Sequence, residues 1–521
     1  MASQDHHGIK KVKPTPSHRK SPISNPSSLP YTSTNPPTQV IVIGTGPTGL
    51  LLSLLLARHS IPVLLLDKST SLDTQPRATH YAAPANRVLS RANLLARVRQ
   101  HGIEVGGARW RKPDGTVLAK IENSRLGAEN PDRISCLPLN ALCKMALEDL
   151  EKEPAAEVRW GCEVEGIREE ESRGRAVVVV KTEEGAEELE ADYVVGCDGA
   201  NSIIRRRLFG DEFPGYTWDL QIIATNKQKV YYDFEKYGWK DSNFVIHPTD
   251  YFMAAKIQDD GLWRVSYGEV PGLSHDEYRA RQPAKYETML PGNPKANDYR
   301  IVNFSPYKVH QRLAPRMRVG SALRTHDPGR RQRGKTKKER KENPAWHPSN
   351  LSALGLHSGG MGLTGGIVDV GDLFDCLAGI HDGRADDDIL DKYDRYRREK
   401  FNQFTNPVSE ANLKRMASDP DEVEANDPGI VAMREADKTD EAAVTFQLTH
   451  ISNYASVVTN NYLVAIASAH CSGTQFNAYI YDMLCQPSSG ESPVHPPVHR
   501  ATVVSKTEIR AFETKPERLI K

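Results

Sequence analysis

The chain has 521 residues, a length that predicts two or three structural regions rather than one small core. Its 68 lysines and arginines balance 67 aspartates and glutamates, which excludes a strong overall attraction to nucleic acid or to an anionic membrane. The seven cysteines include no CxxC pair, so we expect free thiols in an intracellular, cytoplasmic protein and neither a disulfide scaffold nor a metal site.

The N-terminal residues 1–37 are rich in serine, proline, threonine, lysine and histidine and contain no apolar run. This composition predicts a disordered tail and not a secretory signal. Residues 41–66 are almost wholly apolar, but Arg58, His59, Pro62 and three glycines interrupt them. Because a membrane-spanning helix needs about 20 uninterrupted apolar residues, we expect no membrane association.

A strand–helix–strand unit is predicted after this tail. Residues 40–43 form a short apolar run typical of a parallel strand that is buried on both faces. Residues 48–59 indicate a helix, and residues 61–66 indicate a second buried strand. The turn between the first strand and the helix reads Gly-Thr-Gly-Pro-Thr-Gly over residues 44–49, which is the spacing of a dinucleotide-binding loop.

Each glycine of this turn has a physical task in binding a dinucleotide. Gly44 would permit the tight turn, Gly46 would let the backbone approach a pyrophosphate, and Gly49 would let the helix pack close to the strand. The helix start at Thr48 and Gly49, directly after Pro47, presents free N–H groups and a partial positive charge to the phosphates.

An acidic residue follows the second strand. Asp67 lies 23 residues after Gly44, where its carboxylate can accept hydrogen bonds from a ribose, and Lys68 adjoins it. A carboxylate there disfavours a 2′-phosphate, so NADP is not expected at this site. The turn by itself leaves three alternatives: an FAD site, an NAD site and a glycine-rich turn that binds no ligand.

Further elements are predicted downstream: helices over 86–100 and 139–150, strands over 158–167, 176–181 and 193–196, a glycine loop and helix over 359–377, and a charged helix over 390–404. Between residues 217 and 310 aromatic residues alternate with polar ones, which predicts an antiparallel sheet. One face of that sheet can form the wall of a substrate cavity.

Residues 194–206, Val-Val-Gly-Cys-Asp-Gly-Ala-Asn-Ser-Ile-Ile-Arg-Arg, resemble the DG motif of class A flavoprotein monooxygenases. These are the single-component FAD hydroxylases similar to p-hydroxybenzoate hydroxylase and phenol hydroxylase. The family's motif aspartate contacts the ribityl and pyrophosphate region of FAD, and the resemblance gives this role to Asp198.

Two other segments carry the same resemblance. Residues 359–366, Gly-Gly-Met-Gly-Leu-Thr-Gly-Gly, are similar to the family's glycine loop, whose N–H groups face the flavin pyrimidine. The resemblance places Gly362, Leu363 and Thr364 at the flavin. Arg77, in a Gln-Pro-Arg-Ala run, matches the position at which the family's arginine meets FAD.

The resemblance covers roughly residues 38–404, and its middle part is similar to fungal members. It implies an α/β (α+β) fold with a Rossmann-like FAD-binding domain of the glutathione-reductase/p-hydroxybenzoate-hydroxylase type and an antiparallel-sheet substrate domain. It also implies the activity: NAD(P)H reduces FAD, and O2 forms a C4a-hydroperoxide that hydroxylates a phenolic or other aromatic molecule, polyketide-derived compounds included. A homodimer is compatible with this family.

The expected division of the chain has five parts: a disordered tail (1–37), the first part of the FAD-binding domain (38–216), the substrate domain (217–310), the return segment of the FAD-binding domain (311–405) with a basic insertion (321–350), and a C-terminal extension (406–521).

The chain departs from the family after Gly320, where no Gly-Asp-Ala-Ala-His follows. Residues 324–341 contain nine lysines and arginines against two acids. This tract could be a solvated insertion, a nucleic-acid or nuclear-targeting patch, or mis-spliced sequence. We favour mis-splicing because a core strand and its flavin-contacting aspartate disappear where the tract begins, and we expect no nucleic-acid partner.

Two alternatives to the hydroxylase follow. The chain could be a degenerate, inactive flavin-fold protein, or a simple NAD-dependent reductase, which the DG motif and the glycine loop disfavour. No catalytic base is assigned from the sequence. Tyrosines and histidines of the predicted substrate sheet are more often wall residues than bases; they are Tyr231, Tyr232, His247 and Tyr251.

Overall fold

The computed structural model describes residues 39–74, 78–170, 175–224, 230–301, 304–319, 345–346 and 361–454. The predicted tail, Arg77 and the basic tract 324–341 lie outside these residues.

The strands of the described residues are, in chain order, β1 (Val40–Ile43), β2 (Val63–Leu66), β3 (His80–Tyr81), β4 (Ile103–Glu104), β5 (Gly107–Arg111), β6 (Val117–Glu122), β7 (Ser135–Cys136), β8 (Ala156–Arg159), β9 (Glu163–Glu170), β10 (Arg175–Thr182), β11 (Gly185–Ala191), β12 (Tyr193–Gly196), β13 (Gly215–Ala224), β14 (Val230–Tyr231), β15 (Ser242–Val245), β16 (Phe252–Gln258), β17 (Leu262–Glu269), β18 (Arg300–Ile301), β19 (Ser305–Arg312), β20 (Arg318–Val319) and β21 (Ala345–Trp346).

The α-helices of the same residues are α1 (Pro47–Arg58), α2 (Ala83–Arg91), α3 (Leu95–His101), α4 (Leu139–Leu150), α5 (Ile203–Phe209), α6 (His275–Met289), α7 (Met361–His381), α8 (Asp388–Lys400), α9 (Asn406–Met416), α10 (Pro420–Asn426), α11 (Pro428–Ala436) and α12 (Asp440–Tyr454). None of these helices is both long enough and apolar enough to cross a bilayer.

A parallel sheet forms the centre of the first region, in the order β20-β21-β12-β1-β2-β8, with β20 alone antiparallel to its neighbour. Val40 and Val42 point to one face of β1 and pack with helices α1, α4 and α7. Ile41 and Ile43 point to the other face and pack against the antiparallel sheet β9–β11. Both faces of β1 are therefore buried, which explains why its sequence is continuously apolar.

Two predicted elements are interrupted in the structure. The predicted helix over 86–100 is two helices, because Asn93 has a φ of 47° between them. The predicted strand over 158–167 is likewise divided into β8 and β9, with Gly161 at a φ of 67°. Both positions are in the left-handed region, which regular helices and strands do not use.

A nine-stranded sheet forms the second region. Its main order is β18-β14-β17-β16-β15-β5-β6, and β13 joins it by pairing with β17 and β19. Most of its strands come from the segment predicted as the substrate domain, but β5 and β6 come from residues 107–122. One face carries Trp263, Val265 and Tyr267 and is covered by Tyr278 and Tyr286 of α6.

We call the other face of this sheet the inner face. Residues directly paired across strands point to the same side, so the register defines its members. They include Trp110, Ile222, Ala224, Ser242, Phe244, Met253, Ala255, Arg264, Ser266, Gly268 and Tyr307.

The predicted C-terminal extension continues as helices up to Tyr454. Leu413 and Met416 of α9 pack with Ile222 and Val309 at one end of the large sheet. Helices α10 to α12 pack on β6, where Arg125 forms ion pairs with acidic residues at the end of α11 and the start of α12.

Candidate functional site

Three parallel strands end side by side at one edge of the central sheet. Ile43 of β1 lies opposite Leu66 of β2 and Gly196 of β12. The residues that follow these strands, Gly44, Asp67 and Cys197-Asp198, are therefore brought together. This is the edge at which open parallel sheets bind ligands.

The glycine turn is closely packed at two of its predicted positions. Gly44 has a φ of +106°, and a Cβ there would lie 2.5 Å from the carbonyl oxygen of Cys197. A Cβ at Gly49 would lie 1.9 Å from the carbonyl oxygen of Gly44. Only glycine fits both positions, as the predicted tight turn and close helix packing require.

Gly46 differs from the other two glycines. Its φ is −67°, and a Cβ there would have its nearest neighbour, the Cys197 carbonyl oxygen, 4.0 Å away. Pro47 follows at the first position of α1, where its missing N–H costs nothing. Since the protein itself does not crowd Gly46, the free space above it fits the approach of a phosphate group to the backbone.

Asp67 is held by three donors around the turn. Its Oδ2 accepts from the backbone N and the hydroxyl of Thr45, each at 2.7 Å, and its Oδ1 accepts from Ser69 N at 2.8 Å. Burial raises the pKa of Asp67, but the hydrogen bonds from Thr45 and Ser69 outweigh burial and lower the pKa below its usual value. The neighbouring Lys68 is exposed.

We expect Asp67→Asn to weaken both the turn and ribose binding. An asparagine side chain has one acceptor oxygen instead of two. The backbone N–H of either Thr45 or Ser69 would therefore face an NH2 group. The free energy of unfolding should fall by about 1–3 kcal/mol in urea titrations at pH 7. The exposed Asp114, which also accepts a backbone N–H at 2.8 Å, supplies the control Asp114→Asn, which should leave FAD affinity unchanged.

The same variant has a pH signature. Because the folded-state pKa of Asp67 is depressed, its contribution to stability is present above the unfolded value of about 4 and is lost as pH falls through the folded value. The free energy of unfolding of Asp67→Asn should therefore not show this part of the decrease at acid pH. An unchanged acid limb of the stability curve would contradict the role assigned to Asp67.

Asp198 lies at the start of α5. Its Oδ2 accepts from Ile203 N at 2.6 Å and Ile204 N at 3.3 Å, so one oxygen caps the helix. Its Oδ1 is buried and has no hydrogen-bond partner among the described residues. A buried carboxylate oxygen without a donor is costly, so this oxygen fits a hydroxyl of a bound ligand.

The first turn of α7 carries Gly362, Leu363 and Thr364. The helix begins at Met361. Gly362 to Gly366 are therefore helical, whereas the sequence predicted a loop over 359–366. Thr364 is buried, and its Oγ1 has no hydrogen-bond partner among the described residues. The residues fit FAD: two buried oxygens without donors, on Asp198 and Thr364, and the uncrowded Gly46 suit a polar dinucleotide.

A buried ion cluster that the sequence did not reveal fixes α7 to α8. Arg397 donates to Asp369 at 2.5 Å and to Asp372 at 3.2 Å, and all three side chains are buried. The charged residues were visible in both predicted helices, but their pairing depends on how the helices pack.

The four side chains considered as bases occupy different places. Tyr232 packs on the face covered by α6, and His247 lies in a partly exposed turn where its Nδ1 accepts from Asp250 N at 2.8 Å. Tyr231 is near an edge strand and donates to Asp260. Tyr251 lies over Gly268 on the inner face, and burial raises its pKa to about 12.

Two further polar residues lie where the inner face meets the first region. Arg264 is at the centre of β17, all eight residues of which are buried. His80 of β3 has its Nε2 3.5 Å from Ser242 Oγ of the inner face. An arginine within a strand of otherwise buried residues is a signal by which Arg264 could have been found from the sequence. Nothing in the sequence indicated the position of His80.

Comparison with known proteins gives the family. The model of the family described as "FAD binding domain" matches residues 37–323, more than half of the chain. The chain belongs to this FAD-binding family. The match covers the glycine turn, Asp67 and Asp198, and it ends just before the basic tract.

Two curated relatives are similar over most of their length. Para-nitrophenol 4-monooxygenase from Pseudomonas sp. (strain WBC-3) is 33% identical over 385 residues, which are 73% of this chain and 88% of the relative. 6-hydroxy-3-succinoylpyridine 3-monooxygenase from Pseudomonas putida (strain DSM 28022 / S16) is 32% identical over 382 residues, with the same coverage.

Solved structures agree with this placement. The p-nitrophenol 4-monooxygenase PnpA from Pseudomonas putida DLL-E4 superposes with a TM-score of 0.69 at 29% identity, covering 81% of this chain and 99% of PnpA. Aklavinone-11 hydroxylase, solved with FAD and aklavinone, has a TM-score of 0.59 at 18% identity, covers 74% of this chain and 70% of that one, and shows the fold alone.

These findings confirm the predicted family, class A FAD-dependent aromatic monooxygenases, and the predicted fold class. They also confirm FAD as the cofactor of the family. The individual cofactor contacts, the domain boundaries, the fungal type and the cause of the missing Gly-Asp-Ala-Ala-His stay predictions.

Proposed function

We propose that the protein is an FAD-dependent monooxygenase that uses NAD(P)H and O2 to hydroxylate a phenolic ring. The observation that carries the proposal is the edge of the central sheet, where the uncrowded Gly46 of the glycine turn, Asp67 and the unpaired Oδ1 of Asp198 converge. The relatives named above act on nitrophenol and on a hydroxypyridine, which supports an aromatic substrate with a ring hydroxyl.

Each part of the chain has a separate task in this proposal. Gly44, Gly46 and α1 bind the pyrophosphate, and Asp67 binds the ribose of the adenosine half. Asp198 binds the ribityl chain, and the first turn of α7 faces the flavin ring with its backbone N–H groups. When bound, FAD supplies the transfer of electrons from NAD(P)H to O2 and of one oxygen atom to the ring.

The inner face of the large sheet forms the substrate wall in this proposal. Trp110 and Phe244 stack with their ring centroids 5.3 Å apart and remain partly exposed, as does Tyr307. Flat aromatic side chains around a few polar groups suit a planar aromatic ligand. The proposal keeps the division at residues 38–216, 217–310 and 311–405, a cytoplasmic location and a homodimer.

A second candidate is the degenerate flavin-fold protein. It is favoured by the sequence after Gly320, which lacks Gly-Asp-Ala-Ala-His. Within the part of the chain that the structure describes, the parallel neighbour of β12 on that side is the two-residue strand β21.

The purified protein distinguishes the two candidates. We expect a yellow protein whose NAD(P)H oxidation is stimulated by phenols, with one atom of labelled O2 in the product. A colourless protein that cannot be reconstituted with FAD would support the degenerate form. Sequencing the transcript across residues 318–359 then shows whether the basic tract is encoded or is a splicing error.

A further inference from the structure

The C-terminal helices α9 to α12 have no part in the candidate cofactor site, yet they cover part of the inner face of the large sheet. Of the inner-face residues named above, Trp110, Phe244 and Tyr307 are partly exposed, and the others are buried. The surface that is open to a flat ligand is therefore confined to the neighbourhood of these three aromatic rings.

Helix α9 forms the first boundary of this open surface. Leu413 and Met416 of α9 are buried in one apolar cluster with Tyr251. Phe244 and Tyr307 pack against the same cluster. Two of the three partly exposed rings therefore have the side chains of α9 as neighbours.

Helices α11 and α12 form the second boundary. Met433 of α11 and Phe446 of α12 are buried in a separate cluster with Ile246, which directly follows β15. Trp110 packs against this cluster. Since Trp110 also stacks on Phe244, with the ring centroids 5.3 Å apart, the two boundaries flank a single pair of stacked rings.

An ion pair ties the two boundaries to each other. Arg415 of α9 is buried, and its Nε donates to Asp427 Oδ1 at 2.8 Å. The same oxygen accepts from Ile430 N at 2.9 Å and so caps the start of α11. The guanidinium lies against Gly429, where a Cβ would come within 2.4 Å of Nη2. Arg415 therefore determines how α11 is placed relative to α9.

Further ion pairs attach the second boundary to the sheet. Lys112, after β5, pairs with Asp421 and Glu424 of α10, each at 2.6 Å. Arg125, after β6, pairs with Asp437 at the end of α11 at 2.7 Å. Because these contacts lie at both ends of the α10–α11 unit, the unit is held on the β5–β6 hairpin and cannot simply swing outward.

We propose that the C-terminal helices set the width of the substrate site and restrict it to phenols with a single ring, with Arg415 as the positioning residue that fixes the spacing of α9 and α11. This inference rests on the proposed function and names the size class of its substrate. A single ring needs only the surface of the three partly exposed side chains. A fused second ring needs space that the side chains of α9 occupy on one side and those of α11 on the other.

The test compares 4-nitrophenol with 4-nitro-1-naphthol, which carries the same two substituents on a fused two-ring system. Equilibrium dialysis against the FAD-loaded protein, at one alkaline pH so that both probes carry the same charge, gives the two Kd values. We expect the Kd of the naphthol to be at least about tenfold higher, although its larger apolar area would favour it in an open groove. Equal or tighter binding of the naphthol overturns the proposal.

Three variants of α9 separate spacing from general stability. Arg415→Met removes the tie to α11 and should lower the Kd of the naphthol at least about tenfold, while the Kd of 4-nitrophenol changes less than about threefold. Arg415→Lys can still donate to Asp427 and should keep most of the discrimination. Lys414→Met removes an exposed cation from the adjacent position and should change neither Kd.

Met433→Ala tests the second boundary without breaking the ion pair. It shortens a buried side chain behind Trp110 and should also tighten binding of the naphthol relative to 4-nitrophenol. FAD content, measured by absorbance, checks the folding of every variant, and Met433→Ala decides the matter if Arg415→Met loses FAD. An Arg415→Met or Met433→Ala protein that retains FAD and the wild-type ratio of the two Kd values overturns the proposal.

The two proposals fail in different ways. Absence of phenol-stimulated NAD(P)H oxidation, with size-selective binding intact, rejects the hydroxylase and leaves the size limit. Hydroxylation of both probes with equal kcat/KM rejects the size limit and leaves the hydroxylase.

Discussion

Gly46→Ala should strongly weaken FAD binding without unfolding the protein. Its Cβ would have no protein atom nearer than 4.0 Å, and its backbone conformation is open to alanine, so the free energy of unfolding should change by less than about 1 kcal/mol. The same Cβ would occupy the space that the proposal assigns to the pyrophosphate. The Kd of FAD, measured by fluorescence titration, should rise at least about a hundredfold.

Gly49→Ala provides the contrast, because its Cβ would lie 1.9 Å from the carbonyl oxygen of Gly44. The helix must move away from β1, at a cost of about 3 kcal/mol or more. FAD binding and stability should therefore be lost together. Gly127→Ala, where a Cβ meets nothing within 4 Å, is the matched control. If Gly46→Ala binds FAD like the wild type, the turn does not hold a dinucleotide.

Arg397→Met should produce the largest loss of stability. It removes the cation from between Asp369 and Asp372 and leaves two buried carboxylates without it, a change that costs about 3–5 kcal/mol. The loss should be smaller at pH 5 than at pH 8, since a buried carboxylate without its cation takes up a proton more readily. FAD content should fall as well, because the proposed function places the first turn of α7 at the flavin.

Arg395 lies exposed on the same helix, so Arg395→Met should stay within about 0.5 kcal/mol of the wild type. Changing both carboxylates to asparagine together with Arg397→Met should recover part of the loss. Urea unfolding of the four proteins decides the matter. A loss below about 1 kcal/mol in Arg397→Met would show that the cluster does not hold α7.

The local part of the candidate cofactor site could be predicted from the sequence. The apolar run at 40–43, the glycine spacing and Asp67 all lie within 30 residues, so chain connectivity alone places them at one sheet edge. Asp198 was found through a motif of similar compactness. Only the structure shows that its two oxygens differ: one caps the start of α5, and the other has no hydrogen-bond partner among the described residues.

The substrate side could not be predicted in the same way. Ser242 and His80 are 162 residues apart in the chain. They lie close because the large sheet contacts the small sheet formed by β3, β4 and β7 at this place. Alternation along a strand predicts which residues share a face, but it does not predict which face meets the other region.

The large sheet takes its strands from two distant parts of the chain. β5 pairs with β15 in parallel, Ala108 opposite Ser242, and β6 ends at Glu122, long before β15 begins. At a synthesis rate of roughly 5–20 residues per second, the β5–β6 hairpin leaves the ribosome on the order of ten seconds before its partner. During that time β5 presents an open edge to other chains. We expect the yield of soluble protein to depend on chaperones and on growth temperature, and shortened forms that end before residue 242 to aggregate.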